Sequence, residues 1–391
     1  MLDTPFSPWP AYSPEEIEAV SRVLSSGRVN YWTGQECRHF EREFAAWCGT
    51  PHAVALANGT LALDAALRAL DIGAGDEVIV TPRSFMASAS CVVKAGARPV
   101  FADVDLDSGN LTAATVRKVL TPATRAVVAV HLAGWPCEMD DLLALCRERG
   151  LMLIEDCAQA HGARYRGASV GSFGDIGAWS FCQDKIITTG GEGGMVTTRD
   201  KALWSRLWSL KDHGKSHEAV YERQHAPGFR WLHESFGHNW RMLEMQAAIG
   251  RIQLQRLAAW SARRRAIAGR IAELGRRFDA LRVPEVPGHI ERAHYRQYAY
   301  VRPALLKAGW SRDHIVQSVV AEGVPLYQGS CSEIYLERAF EGTGLRPAER
   351  LPNARELGET SLMFLVHPTL TDEEVERTCA ALAKAMGEAS R

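Results

Sequence analysis

Short apolar, β-branched segments alternate with amphipathic segments over residues 53–198, and this alternation restricts the possible folds more than any other feature of the chain. The segments predicted to be strands cover residues 53–57, 77–81, 97–101, 126–131, 151–155, 176–181 and 194–198. Helical patterns lie between several of them, as in residues 60–70 and 140–149. Strands that alternate with helices in this way are typical of a mostly parallel sheet covered on both faces. The sequence therefore predicts an α/β fold.

The pattern changes twice after residue 210. Residues 211–238 show no clear periodicity, and a loop of this length inside a compact protein is usually functional or disordered. Apolar residues then recur every three or four positions over residues 241–278, which predicts one long helix that bridges two domains or a subunit contact. Residues 284–391 mix strand-like and helix-like segments. We predict a large α/β domain over residues 1–250 and a smaller α+β domain over residues 251–391.

Composition excludes several classes of protein. The chain of 391 residues is 46% hydrophobic and 23% charged, with a formal net charge of −1. This near-neutral balance provides no overall field that would attract nucleic acid or an anionic membrane, and no apolar run is long enough to span a bilayer. The nine cysteines are scattered and the first residues lack a signal-peptide pattern, which argues against a secreted disulfide framework. We expect a cytoplasmic protein that binds neither nucleic acid nor membrane.

A pair of carboxylates marks one candidate site. The apolar run of residues 151–154 ends in Glu155 and Asp156, and a helix-like stretch follows. In an open α/β sheet, ligands bind at the carboxyl ends of the strands. At such a position Asp156 can pair with a cation or keep a ring nitrogen protonated. Alternatively, Asp156 only caps the next helix, and these residues alone leave both interpretations open.

A lysine before a glycine-rich turn marks a second candidate site. The strand that ends near Ser180 is followed by Lys185 and by four glycines within residues 190–194. Glycines permit positive φ and close approach of the backbone to a ligand or to other backbone. A lysine facing such a packed site would be desolvated, which lowers the pKa of its amine and frees the lone pair for Schiff-base formation. The alternative is a surface lysine beside a turn, which is the commoner case for an arbitrary lysine.

A third candidate site follows the first strand, where the sequence Asn58-Gly59-Thr60 opens a helix. Gly59 permits a tight turn, Thr60 can cap the helix, and the free amides of its first turn can bind a phosphate. Phe85, after the second strand, can stack on a planar ligand or belong to the core. With the hydroxyl of Ser180, the three sites supply the parts that pyridoxal phosphate (PLP) requires: an amine, an acid for the pyridine nitrogen, a phosphate site and a stacking ring.

The chain resembles the DegT/DnrJ/EryC1/StrS family of PLP-dependent sugar aminotransferases. The resemblance is close up to residue 250 and looser beyond it. It implies an aspartate-aminotransferase-like fold (PLP fold type I) and a homodimer whose active sites lie between the subunits. The matching motifs are Asn58-Gly-Thr60, Ser84-Phe85, Glu155-Asp156-x-Ala-Gln159-Ala-x-Gly162, Ser180-Phe-x-x-x-Lys185, Gly191-Glu-Gly-Gly194 and Asn239-Trp-Arg-Met242.

The resemblance implies a role for each residue around the cofactor ring. Lys185 is the Schiff-base lysine, which also carries a proton between the substrate carbon and the cofactor. Asp156 pairs with the pyridine nitrogen, Gln159 lies near the phenolic oxygen of the ring, and Phe85 stacks on the ring. Some relatives lack the lysine and act as dehydratases with a histidine, so the presence of Lys185 favours amino transfer.

The resemblance also implies which residues hold the cofactor phosphate. The amides of Gly59 and Thr60 and the hydroxyl of Ser180 bind it from one subunit. Asn239 reaches the phosphate of the neighbouring subunit's cofactor. The long helix predicted to follow Asn239 needs a cover for its apolar stripe, which a two-fold partner would supply in part.

Substrate contacts are defined less well. Many members have a His-Tyr-x-Pro-type segment in the small domain, whereas this chain has Tyr327 within Val-Pro-Leu-Tyr-Gln-Gly-Ser, so the family's sugar contacts cannot be transferred. His161, two residues after Gln159, either faces the substrate or packs in the core. Residues 211–241 contain five of the thirteen histidines and several basic residues, and they either embrace a nucleotide diphosphate or are solvated. No tight metal-ligand spacing occurs among these histidines, so we predict no metal site.

Together these observations predict an aminotransferase that passes an amino group, commonly from glutamate, to a keto-sugar attached to a nucleotide. The product would serve the biosynthesis of surface polysaccharides or secondary metabolites. Two alternatives stay open: a PLP-dependent sugar dehydratase or lyase on the same fold, and a non-catalytic relative that binds PLP for regulation. A nicotinamide-dependent dehydrogenase fits poorly, because no G-x-G-x-x-G motif follows an early strand.

Overall fold

A computed structural model of the protein describes residues 6–224 and 231–391, in which two main sheets organise the chain. The strands are β1 His52–Leu56, β2 Glu77–Val80, β3 Arg98–Phe101, β4 Thr124–Val130, β5 Met152–Asp156, β6 Arg164–Tyr165, β7 Ala168–Ser169, β8 Ile176–Ser180, β9 Gly194–Thr198, β10 Leu281–Arg282, β11 Ile290–Glu291, β12 Gln297–Val301, β13 Leu326–Tyr327 and β14 Ser361–Phe364. The α-helices are α1 Pro14–Ser26, α2 Glu36–Cys48, α3 Gly59–Ala69, α4 Ala87–Lys94, α5 Ala113–Arg117, α6 Met139–Arg149, α7 Lys201–Lys211, α8 His217–Tyr221, α9 Glu244–Gly275, α10 Arg312–Ala321, α11 Pro352–Thr360 and α12 Asp372–Ala389.

The larger sheet has seven strands in the order β1-β9-β8-β5-β4-β2-β3. Strands β8, β5, β4, β2 and β3 pair in parallel, and only β9 runs antiparallel to its two neighbours. The predicted α/β fold with a mostly parallel sheet is therefore confirmed. The seven predicted strands are all present, with ends displaced by at most two residues. The short strands β6 and β7, which form a hairpin beside β11, were not predicted.

Both faces of this sheet are buried, which explains the nearly continuous apolar runs of its strands. In β2, the side chains of Val78 and Val80 belong to one core cluster, whereas that of Ile79 belongs to the cluster on the opposite face. Strand β4 divides its residues in the same way, with Val128 on one face and Val127 on the other. This alternation follows from the two-residue repeat of a strand. Helices α3 and α4 pack on the first of these faces and α6 on the second.

The parallel order brings the ends of distant segments to one edge of the sheet. The carboxyl ends of β1, β5 and β8 lie at the same edge because these strands point in the same direction. Gly194, the first residue of β9, pairs with Leu56 at the end of β1 and with Ser180 at the end of β8. Asp156, at the end of β5, pairs with Ala178 of β8. We refer to this carboxyl edge, with Gly59, Asp156 and Ser180, as the sheet edge.

The predicted long helix is shorter than expected at both ends. Helix α9 covers Glu244–Gly275, with Leu243 at its N-cap, rather than residues 241–278. Arg241 instead forms a β-bridge with Leu56, and its guanidinium lies 2.7 Å from the carboxylate of Asp212. These two contacts hold the backbone before α9 in an extended conformation. The apolar periodicity continues through this segment, so it did not reveal where the helix begins.

The remaining elements form a smaller α+β unit. Strands β10, β12, β14 and β13 make an antiparallel sheet, against which α10, α12 and the second half of α9 pack. The division at residues 250/251 stays a prediction, and α9 runs through it without interruption. Within the residues described, no helix combines the length and apolar character needed to cross a membrane.

Candidate active site

Asp156 is held at the sheet edge by hydrogen bonds to both of its oxygens. Ser88, in the first turns of α4, donates its hydroxyl to Oδ2 at 2.8 Å, and the backbone N–H of Ala158 donates to Oδ1 at 3.1 Å. The hydroxyl of Ser84 lies 3.0 Å from that of Ser88. Asp156 is only 5% exposed, and this burial raises the pKa of its carboxyl group. A cationic N–H placed against Asp156 would offset this penalty.

Asn58, and not Thr60, caps helix α3. The side-chain oxygen of Asn58 accepts a hydrogen bond from the N–H of Leu61 at 3.0 Å, and Gly59 is the first residue of the helix. The prediction that Thr60 caps this helix is therefore wrong. Asn58 has the extended backbone that an N-cap requires, whereas Thr60 already lies in the first turn. This arrangement leaves the N–H groups of Gly59 and Thr60 directed away from the helix body, where they can bind an anion.

Gly59 and Ser180 lie close to each other across the sheet edge. A Cβ atom added at Gly59 would lie 2.5 Å from the Cβ of Ser180 and 2.9 Å from its hydroxyl oxygen. The Ser180 hydroxyl oxygen accepts a long hydrogen bond from the N–H of Cys182, at 3.3 Å, and its proton has no acceptor among the described residues, so it is available to a ligand. The first turn of α3 and the end of β8 thus converge on the same small volume. Their donors can bind a phosphate group there.

The glycine-rich turn also depends on its missing side chains. Gly190 and Gly191 adopt positive φ angles of 85° and 125°. A Cβ atom at Gly194 would lie 2.3 Å from the carbonyl oxygen of Asn58, so the backbone of β9 passes directly beside the start of α3. The prediction that this turn permits close backbone approach is confirmed. The approach is to the protein's own backbone next to the candidate phosphate site.

Lys185 lies between the sheet edge and the smaller unit. Its side chain is 15% exposed, its Nζ lies 3.4 Å from the carboxylate of Asp184, and it approaches the ring of Tyr295, whose centroid is 5.1 Å away. Burial by itself lowers the pKa of Lys185, but Tyr295 and the Asp184 carboxylate raise it by more, so the net shift is upward. The prediction of a lowered pKa is wrong for this ligand-free chain. Asp184, which immediately precedes the lysine in sequence, was not among the predicted site residues.

Gln159 and Phe85, which are both predicted to contact the cofactor ring, differ in their exposure. Gln159 is buried, and its side-chain oxygen accepts a hydrogen bond from the N–H of Ala133 at 2.7 Å. This bond leaves the amide NH₂ of Gln159 as its remaining donor group. Phe85 is 70% exposed just before α4, next to the Ser84–Ser88 pair that supports Asp156. An aromatic ring this exposed beside a candidate ligand site is well placed to cover a bound ring.

A buried network below Asp156 was not predicted. Glu155 accepts hydrogen bonds of 2.8 Å from the N–H groups of Gly171, Phe173 and Gly174, and its other contact is with the ring Nε2 of His131 at 3.0 Å. These bonds anchor the end of β5 and thereby the position of Asp156. The ligand atoms of His131, Glu155 and Cys157 lie within 4.8 Å of one another. The hydrogen bonds already made by Glu155 and His131 account for this cluster without a metal ion.

The two candidate substrate residues are placed differently. His161 is fully buried, with its ring 5.2 Å from that of Trp179 and 5.5 Å from that of Phe181. This placement favours packing over direct contact with a sugar, and the substrate role of His161 stays a prediction. Tyr327 lies in β13, is partly buried, and is near enough to Arg296 for that charge to act on its pKa, although burial raises the pKa overall. Its substrate role also stays a prediction.

The described basic residues of the 211–241 segment are paired with acids of the same chain. His225 and Arg230 lie outside the described residues. The four described cations form the pairs Lys211–Glu41 (2.8 Å), Lys215–Asp212 (3.0 Å), Arg223–Glu234 (2.6 Å) and Arg241–Asp212 (2.7 Å). Lys211 is moreover fully buried at the end of α7. These pairs offer little free positive charge to a nucleotide diphosphate, so they do not support that interpretation of the segment.

Asn239 is exposed and lies four residues before the N-cap of α9. Its backbone forms a β-bridge with Asp212, which fixes the strand-like path that leads to Arg241. Asn239 is not the N-cap of the long helix, because Leu243 occupies that position. An exposed amide on a fixed backbone is compatible with a contact to another subunit.

These residues fit pyridoxal phosphate on structural grounds. A buried carboxylate of raised pKa faces the sheet edge at Asp156, and donors with no room for a Cβ atom converge at Gly59 and Ser180. The ring of Phe85 is exposed, and the amine of Lys185 is mostly buried. Each group matches one part of the cofactor: the ring nitrogen, the phosphate, the ring face and the aldehyde carbon.

Comparison with known proteins agrees with this interpretation. A family model described as the DegT/DnrJ/EryC1/StrS aminotransferase family matches residues 10–383. An aminotransferase from Psychrobacter cryohalolentis, solved by X-ray crystallography, is 59% identical, with a TM-score of 0.97 over 98% of this chain and 99% of that chain. The UDP-N-acetyl-3-dehydro-alpha-D-glucosamine 3-aminotransferase of Acidithiobacillus ferrooxidans is 36% identical over 377 residues, which cover 95% of this chain and 94% of that protein. The GDP-perosamine synthase of Caulobacter vibrioides is 37% identical over 352 residues, 88% of each chain.

These matches extend through both the larger and the smaller unit. They confirm the predicted fold type and the predicted class of enzyme, an aminotransferase, and they do not favour the dehydratase or the regulatory alternative. They also confirm the predicted cofactor, because the family depends on PLP. On the motifs, the geometry of the sheet edge and these matches, the chain belongs to the DegT/DnrJ/EryC1/StrS family of PLP-dependent aminotransferases.

Proposed function

We propose that this protein transfers an amino group from an amino acid, glutamate in the first instance, to a keto-sugar attached to a nucleotide. The observation that carries the proposal is Lys185, an amine that is mostly buried but still reachable next to the sheet edge. Amino transfer needs such a group, and dehydrating relatives lack it. The relatives named above, an aminotransferase of a UDP-linked sugar and a GDP-perosamine synthase, support a nucleotide-linked acceptor. The product would enter a surface polysaccharide or a secondary metabolite.

Bound PLP supplies an aldehyde that takes up the amino group and a ring that accepts carbanion charge. The chain's own residues bind and orient it. The N–H groups of Gly59 and Thr60, with the Ser180 hydroxyl, hold the phosphate at the start of α3. Asp156, fixed by Ser88, keeps the ring nitrogen protonated, because a buried carboxylate is stabilised by an adjacent cation.

Lys185 provides the movable proton. Its Nζ takes a proton from the substrate carbon that loses hydrogen and returns one to the carbon that gains it. Asp184 and Tyr295 hold the free amine in its charged form in the ligand-free chain. Loss of the contacts with Tyr295 and Asp184 would lower the pKa of the amine and favour its neutral, nucleophilic form.

We propose that the working unit is a homodimer and that Asn239 completes the phosphate site of the partner. Asn239 is exposed on a fixed backbone, and the same segment exposes two large aromatic side chains, Trp231 at 89% and Phe236 fully. Exposed apolar side chains of this size commonly mark a protein interface. A phosphate held by Gly59, Thr60 and Ser180 retains acceptor sites, and the amide of Asn239 can donate to one of them.

We further propose that the protein works in the cytoplasm. All nine cysteines are free, and all but Cys182 and Cys331 are buried. Free thiols in this number are typical of a reducing compartment. The division into domains at residues 250/251 belongs to the same proposal, since most site residues precede it and the smaller antiparallel sheet follows it.

The test of the reaction is a screen of keto-sugar nucleotides with glutamate, followed by the mass of the product. The expected result is a sugar nucleotide in which an amino group has replaced the keto oxygen, formed together with 2-oxoglutarate. A product that has lost water and contains no new nitrogen would instead indicate a dehydratase. Absence of turnover with every acceptor, despite amino exchange with glutamate, would rule out the nucleotide-sugar acceptor.

The test of the composite site mixes two inactive variants, Lys185→Ala and Asn239→Ala. If Asn239 acts across the subunit boundary, one site of each mixed dimer carries both defects and the other carries neither. Up to half of the wild-type activity per mixed dimer should then return. Absence of recovery despite demonstrated subunit exchange, or a fully active monomer in sedimentation, would contradict the composite site.

A further inference from the structure

Several buried donor groups without partners lie between helix α9, the sheet edge and the smaller unit. The Arg264 side chain has no exposed surface, and none of its three guanidinium nitrogens has a hydrogen-bond partner among the described residues. Ser261, one turn earlier on α9, has a buried hydroxyl that is also unpartnered within residues 6–224 and 231–391. Both ring nitrogens of His161 are also buried and lack a hydrogen-bond partner among these described residues. We call Arg264, Ser261, His161 and the nearby Arg296 the cation cluster.

These groups are neighbours. The Ser261 hydroxyl oxygen lies 2.9 Å from the position of a Cβ atom at Gly162, the residue that follows His161. The charge of Arg264 acts on the pKa of His161, and the charge of Arg296 acts on that of Arg264. The unpartnered donors of α9 and of the segment after β5 therefore face a common region.

The charges around this region are mainly positive. Burial, and then Arg296, lowers the pKa of Arg264 to about 9, which still leaves the guanidinium charged at neutral pH. The Asp184 carboxylate is already occupied: it accepts a hydrogen bond from Tyr295 and lies 3.4 Å from the Lys185 amine and 3.9 Å from the guanidinium of Arg296. A buried guanidinium with no carboxylate against it is strongly unfavourable, so it calls for an anionic partner.

The anionic partner must enter the fold. Arg264 and His161 are 0% exposed in the single chain, so an anion reaches them only when a neighbouring side chain moves, and a small ligand requires less movement than a protein surface does. The available donors are the fork of Arg264, the hydroxyl of Ser261 and one N–H of His161, which is neutral because burial lowers its pKa to about 3. A guanidinium fork matches a carboxylate, which it can bind through two parallel hydrogen bonds.

The cation cluster is joined to the catalytic lysine through Trp9. The indole ring of Trp9 lies over the Arg264 guanidinium, with its centroid 5.2 Å from Cζ, and its N–H donates to the backbone oxygen of Lys185 at 2.9 Å. The Lys185 charge also acts on His161. An anion bound by Arg264 would therefore lie next to the residue that takes part in amino transfer.

We propose that Arg264 binds a carboxylate of the amino donor, with the hydroxyl of Ser261 and the N–H of His161 as additional donors. The inference rests on the proposed function, because it requires an amino acid as the donor. In this proposal Arg264 contacts the substrate, and the Trp9 ring covers that contact. Since Arg264 is closed off and Lys185 is 15% exposed, the carboxylate approaches from the side of Lys185, with rotation of the Arg264 or Trp9 side chain.

The test measures binding of glutarate, a dicarboxylate that cannot donate an amino group, to the purified holoenzyme by calorimetry. Arg264→Gln should weaken glutarate binding by about 10- to 100-fold, and Arg264→Lys should restore part of it. Arg265→Gln is the matched control, because Arg265 is the next residue on α9 but has a 59% exposed side chain. Its glutarate affinity should equal that of the wild type.

The outcomes separate this inference from the proposed function. Wild-type affinity for glutarate in a folded Arg264→Gln variant would overturn the inference. If that variant does not fold, unchanged affinity in both Arg264→Lys and Ser261→Ala would do the same. Chloride or acetate bound as tightly as glutarate would show an adventitious ion only, which also overturns it. Failure of the wild-type enzyme, already loaded with the amino group, to aminate the keto-sugar would count against the proposed function alone, because that step needs no amino donor.

Discussion

The sheet edge and the cation cluster lie on two sides of Lys185 and differ in how their polar groups are satisfied. At the sheet edge, both oxygens of Asp156 accept hydrogen bonds, and the side-chain oxygen of Gln159 accepts one from Ala133. In the cation cluster, the buried donors of Arg264 and His161 have no partner among the described residues. The first region is organised before any ligand binds. The second has the donors of a binding site whose acceptor is not part of the chain.

The difference follows from how each region is assembled. The sheet edge is built from short segments that follow parallel strands, so the fold itself brings their residues together. The cation cluster joins His161, Arg296 and, from α9, Ser261 and Arg264, which come from three separate parts of the chain. A cofactor that stays bound benefits from preorganised contacts, whereas a substrate that must leave is better served by groups that are satisfied only while it is bound.

The largest effect is expected at Lys185, where the two regions meet. Lys185→Ala should lower turnover by about 10⁴-fold or more, because it removes the amine that binds the aldehyde carbon and moves the proton. Borohydride reduction of the wild type, followed by peptide mapping, should place the label on Lys185. Lys94→Ala, which changes a 56% exposed lysine, is the control and should keep full activity. A label on another lysine would refute the assignment.

The next effect concerns Asp156 at the sheet edge. Asp156→Asn should lower kcat by about 10²- to 10³-fold, since the ring nitrogen loses its anionic partner. Ser88→Ala should have a smaller effect of the same kind, because it only removes the hydrogen bond that orients Asp156. Unchanged kcat in Asp156→Asn with full cofactor occupancy would show that the carboxylate has no such role.

Asp156→Asn should leave the stability of the ligand-free protein at neutral pH unharmed. Burial raises the folded-state pKa of this carboxyl group, so its contribution to folding is present below the unfolded pKa and lost as the pH rises through the folded one. At neutral pH the charged group therefore opposes folding, and its removal relieves that penalty. Urea unfolding of both ligand-free proteins at neutral pH measures the difference.

A smaller effect is expected from Gly59→Ala. The new Cβ atom would lie 2.5 Å from the Cβ of Ser180, so the start of α3 must move away from β8. We expect the affinity for PLP to fall by about 10-fold, since the donors to the phosphate separate. Gly269→Ala in α9, where nothing lies within 4 Å, is the control and should keep this affinity while stabilising the helix by up to about 1 kcal/mol. Equal cofactor affinity in both variants would remove Gly59 from the phosphate site.

Much of the sheet edge could be predicted from the sequence because each part of it is local. Runs such as residues 126–130 are apolar on both faces, which marks a buried parallel strand, and Asp156 and Lys185 follow such strands directly. Where two nearby residues compete for one role, the pattern failed: it predicted Thr60 rather than Asn58 as the cap of α3. The start of α9 was misplaced for a different reason, since Arg241 is held by the distant Asp212.

The cation cluster could not be predicted in the same way. Arg264 lies in a helical run rich in arginine, and nothing in its sequence neighbourhood distinguishes it from Arg263, which pairs with Asp372 at 2.7 Å. Only the packing of α9 against the smaller unit shows which of these arginines is buried. His161 was found beside Gln159, but its burial between Trp179 and Phe181 depends on how β8 packs.

The smallest expected effect is a pH dependence of stability that originates in the cation cluster. Burial, together with the charges of Lys185 and Arg264, lowers the pKa of His161 from 6.5 to about 3. The folded protein therefore keeps this ring neutral where the unfolded chain protonates it. The contribution of His161 to stability is complete above pH 6.5 and is lost as the pH falls toward about 3.

His161→Phe should remove this dependence, because phenylalanine packs between Trp179 and Phe181 without titrating. Relative to the wild type, the variant should gain about 1–2 kcal/mol in free energy of unfolding between roughly pH 7 and pH 5, measured by urea denaturation of the ligand-free protein. Parallel pH curves for the two proteins would show that His161 is not protonated on unfolding. Glutarate should reduce the difference between the curves if it binds at Arg264, because a carboxylate beside His161 stabilises the protonated ring and raises its folded-state pKa.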